Sequence, residues 1–473
     1  MINLKQTWDL ESIFPGGSSS PQLQQQLEKV RTKIAALRQK AQQLTPDLDL
    51  GQLKGLVEDM QNVMMELQHC SAFVGCLTAQ NVRDDKAKLL QGDLGQISAS
   101  LASVLTAIDH ILVSISEANW QAFLTDPELA ELSFSLNERR RVAKTKMAPE
   151  LEAIATDLAV DGYHAWSHLY NTIVGDMIIE VEREGKAQKL SMGQAGNLLA
   201  DADPKVRQDV FRKYEEAWAQ EAELCASALN HLAGFRINLY KNRGWEDILA
   251  EPLQVNRMER ATLEAMWAAV EDGKPHLVKY LERKAELLGL DQIAWYDVGA
   301  PVGDAGKEIP FDEAATFVVD QLRRFSPEIA DFTQNALAKR WVEAENRGGK
   351  RPGAFCTSFP LSKESRVFMT YSGTIGSLGT LAHELGHAYH GYVLSDAPQF
   401  LRRYAMNVAE TASTFGELLV VDGAIQAATS PGEKLGILED KIGRSVAFFM
   451  NIHARFLFET RFYEARKKGL VSS

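Results

Sequence analysis

Cysteine is scarce. The 473 residues hold four, Cys70, Cys76, Cys225 and Cys356, and none stands in a CxxC pair. So few thiols in so long a chain build no disulfide framework, and a reducing compartment, the cytoplasm, is the expected location. Excess positive charge is lacking too: 51 Lys and Arg face 63 Asp and Glu, a formal net charge of −12. That field repels phosphate backbones and anionic lipid, so neither nucleic acid nor a membrane is expected as a partner. No uninterrupted apolar run reaches membrane-spanning length, because the most apolar stretch, Leu101 to Ile115, is broken by Asp109 and His110. The opening MINLKQTWDLESIF has no basic segment followed by an apolar one, and no secretory leader is expected. What remains, 45% apolar and 24% charged residues, is the composition of a globular protein with chain enough for several cores and a deep cleft. Disorder, collagen and small cross-linked scaffolds are excluded.

Helical periodicity dominates. Leu23, Leu27, Val30, Ile34, Leu37, Ala41 and Leu44 alternate spacings of four and three, one stripe of a long helix that Ser20 and Pro21 are suited to start. A second stripe runs through Leu53, Leu56, Val57, Met60, Val63, Met64 and Leu67 after the turn-rich segment Thr45 to Gly51. An antiparallel hairpin within the chain is expected, rather than a coiled coil between chains. Similar patterns continue through Leu89 to Ile115, Glu128 to Leu158 and Pro204 to Tyr240, so the fold class is mainly α. Turn-rich breaks fall at Ala300 to Pro310 and at Glu345 to Gly353, the sequence ENRGGKRPG. The latter lacks GxxxxGK[ST] and is expected to be a loop at a channel edge, not a phosphate cradle. Beyond it, Ala354 to Ser358 and Ser365 to Tyr371 are β-compatible and predict a small sheet just before the next helix.

That helix carries His383-Glu384-Leu385-Gly386-His387, an HExxH pentapeptide. Histidines four apart lie one turn above the other, with Cβ atoms roughly 5–6 Å apart, so both imidazoles can reach one ion. Glu384 is turned about 100° round the helix, where it can meet a water at the metal without taking a ligand position. A further helical segment, Tyr404 to Val421, offers Glu410 and Glu417. A catalytic zinc takes a third protein ligand and keeps a fourth position open, and Glu410 is the first choice for that ligand. Glu417, on the same face as Glu410, is a candidate to orient a ligand imidazole. His390 is expected to pack or support rather than ligate, and with His at 390 and Val at 393 the HExxHxxGxxH pattern is absent. His164 and His168 form a second HxxxH without an intervening glutamate, which reads as structural. Tyr371, Tyr389, Tyr392 and Tyr404 near the motif are expected in the core rather than as oxyanion donors.

These residues resemble the oligoendopeptidase F branch of the thimet-oligopeptidase-like zinc metallopeptidases. The resemblance rests on LAHELGHAYH, ETASTFGE, RPGAFCTSF and FMTYSGT. It extends to TWDLESIFPG, YHAWSHLYN, LLADADPKVRQDVFRKYEEAW and YKNRGWEDILAEPLQVNRM, hence over essentially the whole chain. It implies a large helical bowl with a deep channel that admits short unstructured peptides, and a small β-sheet beside the active-site helix. It implies one zinc ion on His383, His387 and Glu410, Glu384 as catalytic base, and zinc-dependent hydrolysis of internal bonds of oligopeptides. The rival readings are a Taq-type carboxypeptidase and a catalytically silent peptide-binding module. The expected organisation is a helical N-terminal region, 1–190, and a zinc metallopeptidase catalytic region, 191–473. The family's downstream segment, with His and Tyr residues that contact substrate, is expected beyond position 473. Val367 to Tyr371 is expected as an edge strand able to pair with a substrate backbone.

Overall fold

Three long helices follow one another near the N-terminus, and each begins where a side chain satisfies amides that the helix leaves free. In α1 (Pro21–Gln43) the Ser20 side chain accepts from the Leu23 amide, and Pro21 needs no partner for a missing N–H. In α2 (Leu50–Gln80) Asp49 and Gln52 form a reciprocal capping box. In α3 (Asp85–Ser114) Asp84 accepts from Ala87. The computed structural model describes residues 4–183, 185–303 and 308–473. Four positions of the break expected at Ala300 to Pro310, residues 304–307, lie outside the described residues.

The two apolar stripes read from the sequence are the buried faces of α1 and α2, and they share one core with Leu90, Leu94, Ile97, Leu101, Val104, Ile108 and Leu112 of α3. Among the described helices α3 alone is long and apolar enough to cross a membrane by length and composition. Here its apolar side packs in that core, and Asp109 accepts a hydrogen bond from Arg139 Nε at 2.8 Å.

A histidine sits in this core with no partner for its Nδ1 among the described residues. His69 is 5% exposed, edge-on to Phe14 at 5.5 Å and to Phe359 at 5.3 Å between ring centroids. Burial, aided by the Arg366 charge, pushes its pKa down to about 4. The unfolded chain therefore takes up the proton first as pH falls, and stability present above pH ~6.5 drains away between that value and pH ~4. From pH 7 to pH 5 the loss is expected to be about 2 kcal/mol. Urea titrations of the wild type and His69→Leu at those two pH values check it: the variant should lose correspondingly less, and identical losses would contradict the assignment.

Elsewhere the long patterns divide. Glu128 to Leu158 resolves into Pro127–Glu131, Ser133–Ala143 and Pro149–Ala159, and Pro204 to Tyr240 separates at Glu221 into Pro204–Gln220 and Ala222–Asn242. Prolines open three of these pieces, at the first helical position where they are tolerated.

The strands are few. β1 (Ile178–Arg183) pairs antiparallel with β2 (Lys186–Ser191). β3 (Val342–Glu343), β4 (Phe355–Phe359) and β5 (Glu364–Phe368) form a second sheet in the order β3-β5-β4, with β3 parallel and β4 antiparallel to β5. This corrects one expectation. The segment from Val367 is central, not an edge: Val367, Met369 and Tyr371 amides donate to the carbonyls of Trp341, Glu343 and Ala344 at 2.8, 2.8 and 2.9 Å. The two-residue β3 is too short to leave a periodic trace in the sequence. The free edge belongs to β4, which among the described residues pairs only with β5.

The N-terminal segment fastens this sheet. Arg366 on β5, wholly buried, donates to the Asp9 carbonyl at 3.0 and 2.8 Å and to Ser12 Oγ at 3.0 Å. Trp8 packs against Phe355 and Phe368.

Candidate metal centre

The HExxH helix, Ile375–Val393, follows directly from the sheet. Thr374 and Ser377 form its capping box, and Gly373, at φ +75°, makes the turn before it. Leu378, Leu381, Ala382, Leu385 and Ala388 bury one face among Phe311, Ala315, Val318 and Val420. Across this helix runs Glu410–Ala427, preceded by a single 3-10 turn at Met406–Val408.

The two helices touch backbone to backbone. A Cβ on Gly386 would lie 2.8 Å from both the Ala412 carbonyl oxygen and Ser413 Cα, and one on Gly416 would lie 3.4 Å from the Ala382 carbonyl oxygen. Two missing side chains thus set the approach, and the approach brings the first residue of the second helix, Glu410, over the two histidines.

There Glu410 Oε2 lies 3.0 Å from His383 Nε2 and 3.2 Å from His387 Nε2. The three atoms fall within 4.8 Å of one another. Ligand atoms placed tetrahedrally about a zinc ion are roughly 3.3 Å apart, so the donor set fits one ion in both spacing and chemistry. Ser413 Oγ donates to Glu410 Oε2 at 2.8 Å, fixing the carboxylate. Glu410 remains 58% exposed, which leaves a side of the site open. Although burial works the other way, the Ser413 hydroxyl and the two imidazoles hold its carboxyl below the usual range.

Glu384 is the contrasting carboxylate. It is 5% exposed, and its Oε2 has no hydrogen-bond partner among the described residues. Burial pushes its pKa up to about 7, opposed by nearby His383 and aided by the Glu410 charge. An orphaned oxygen beside a three-donor cluster is the position for a group that takes and returns a proton.

His383 has a further partner. Its Nδ1 lies 2.9 Å from Glu417 Oε2, and since a carboxylate only accepts, Nδ1 is the donor. Glu417 Oε1 in turn accepts from Arg444 Nη1, and Arg444 Nε donates to Asp440 Oδ2 at 3.1 Å. The imidazole end of this chain agrees with the sequence reading of Glu417. Arg444, Asp440 and Ser413 were not anticipated. Ser413 lies inside ETASTFGE, where an N-terminal hydroxyl three residues after a ligand is a usable signal. Arg444 and Asp440 lie on Pro431–Val446, in no motif at all.

The remaining candidates are placed apart from the donors. His390 stacks on Tyr404 with centroids 4.5 Å apart and joins no metal-competent group among the described residues. Tyr371 is buried, and its hydroxyl donates to the Ile309 carbonyl at 2.8 Å. Tyr389 and Tyr392 pack on Phe332, and Tyr392 and Tyr404 remain partly exposed. His164 ends a π-helical turn, Val160–His164, against Tyr163.

Comparison with known proteins follows the same lines. Residues 197–469 match the profile of peptidase family M3, and residues 112–178 match that of oligopeptidase F. The chain is 23% identical to oligopeptidase PepF of Bacillus subtilis over 96% of its own length and 68% of the relative's. It is 20% identical to an oligoendopeptidase F homolog of Lactococcus lactis over 99% and 78% of the two lengths. The crystal structure of oligoendopeptidase-F from Enterococcus faecium superposes with a TM-score of 0.69 at 16% identity, covering 95% of this chain and 76% of that one.

Proposed function

We propose, on the premise that the chain belongs to peptidase family M3 in its oligopeptidase F branch and is a metallopeptidase, that it is a zinc-dependent endopeptidase of short unstructured peptides. His383, His387 and Glu410 are the ligands and Glu384 the general base. The observation that carries this reading is the convergence of two Nε2 atoms and one carboxylate oxygen beside a buried carboxylate whose Oε2 has no hydrogen-bond partner among the described residues. A bound zinc ion supplies Lewis acidity, polarising the scissile carbonyl and lowering the pKa of water to about 7.

The chain's own residues do the rest. Glu384 accepts a proton from the attacking water at its carboxylate and passes it to the departing amine. Glu417 holds His383 with its Nδ1 protonated, so that Nε2 keeps a free lone pair. The open edge of β4 offers backbone groups to an extended peptide, gripping it with little regard to side chains. A cavity of about 230 Å³ bounded by Ser358, Phe359, Tyr392 and Tyr404 has room for one substrate side chain. The catalytic region is assigned to 191–473, with 1–190 as helical scaffold, and the site of action to the cytoplasm.

The test is mass spectrometry of a pool of short unstructured peptides incubated with the zinc-loaded chain. Internal cuts that vanish with a chelator and return with zinc support the reading. Stepwise loss of C-terminal residues would make it a carboxypeptidase, and peptide binding without cleavage a binding module. Zinc is also expected to stabilise the fold. At a thousandfold excess over Kd the gain is about 4 kcal/mol, readable as a higher unfolding midpoint with metal than with chelator. An unchanged midpoint would remove zinc from the site.

A further inference from the structure

Helix Pro431–Val446 sends Arg444 across to the HExxH helix, where an added Cβ on Gly379 would collide with the guanidinium. Gly379 is one turn ahead of His383, so the guanidinium lies against the backbone of the metal helix rather than in solvent. From there Nη1 donates to Glu417 Oε1, and Nε is held by Asp440 at 3.1 Å. Glu417 is 6% exposed, and its other oxygen takes the His383 Nδ1 proton at 2.9 Å.

We infer that Arg444 is a positioning residue for the metal centre: it fixes the rotation of the Glu417 carboxylate, which fixes the ring and tautomer of His383. The inference rests on the metal reading above and extends it to a residue that touches neither ligand nor substrate. Held at both oxygens, Glu417 has one orientation, and His383 Nε2 is aimed at Glu410 and His387 before any ion arrives. Without Arg444, one oxygen of a buried carboxylate loses its partner and the group is free to turn toward other donors. Gly379 is part of the device, since any side chain there would displace the guanidinium.

Zinc affinity, read by competition with a chromophoric chelator, and the visible spectrum of the cobalt(II)-loaded chain test this without reference to turnover. Arg444→Met is expected to weaken zinc binding about 10–100-fold and to alter the cobalt spectrum. Arg444→Lys should recover part of the loss. In a Glu417→Gln background, Arg444→Met should add less than about twofold, because its route to the metal is already cut. Gly379→Ala, which keeps the charge but moves it, should weaken zinc in the same direction and serves if Arg444→Met does not fold. Affinity within about twofold of wild type in Arg444→Met, or losses that simply add to those of Glu417→Gln, would overturn the inference while leaving the metal reading intact. A wild-type chain that binds no zinc would overturn both.

Discussion

Glu384→Gln is expected to lower peptide hydrolysis by ~10²–10⁴-fold while leaving zinc affinity within about twofold of wild type. The amide matches the carboxylate in shape but cannot take the proton of the attacking water. Because Glu384 Oε2 has no hydrogen-bond partner among the described residues, the substitution breaks no bond among them there. It should even stabilise the metal-free chain. Burial raises the Glu384 carboxyl to about 7, so the folded state holds its proton more tightly than the unfolded one, and stability is lost as pH climbs from ~4.5 to ~7. A neutral amide escapes that cost, worth about 2–3 kcal/mol above pH 7. A fluorogenic peptide assay, zinc titration and urea unfolding of the apo chain measure the three effects. Undiminished cleavage would move the base elsewhere. Zinc binding lost together with activity would make Glu384 part of the ligand set instead.

Gly386→Ala is expected to do the reverse, harming the fold and the metal together. The added methyl meets two backbone atoms, the Ala412 oxygen and Ser413 Cα, each at 2.8 Å. Backbone cannot rotate away, so the helices must part, and Glu410 travels with the second one. A stability loss of about 1–3 kcal/mol and a fall in zinc affinity of more than ~10-fold should follow. Gly391→Ala on the same helix supplies the comparison, because its Cβ would meet chiefly the Ser358 hydroxyl at 2.7 Å. That group can swing aside, and the variant should keep zinc and most of its stability. Equal behaviour of the two variants in thermal melts and zinc titration would show that the close crossing does not set the metal geometry.

What could be read from the sequence was what the chain encodes locally. The stripe from Leu23 to Ala41 is legible because one helix repeats it for about five turns, and HExxH because both imidazoles and the intervening carboxylate share a single helix. Glu410 and Glu417 were reachable because a seven-residue spacing keeps them on one face. Other features depend on distant partners. β3 consists of two residues that become a strand only when Val367 and Phe368 arrive beside them, and with β3 unseen the central strand looked like an edge. Arg444 is an ordinary basic residue in an amphipathic helix until Gly379 lets it cross to Glu417. The glycines of LGTLAHELG were visible as letters, but a helix shows its close neighbour only in three dimensions.

The clamp of the N-terminal segment on β5 has a consequence for how the chain is made. Arg366 meets Asp9 and Ser12 across separations of 357 and 354 positions, whereas the proposed ligands and their support, His383 through Arg444, come from one contiguous stretch. Contacts so far apart close late and slowly, since the loop between them must be ordered first. On the ribosome Asp9 and Ser12 are therefore made well before Arg366 and docked late. Trp8 waits with them, because its ring partners Phe355 and Phe368 lie far further along the chain. The proposed ligands and their support, by contrast, need only neighbours from their own stretch to come together.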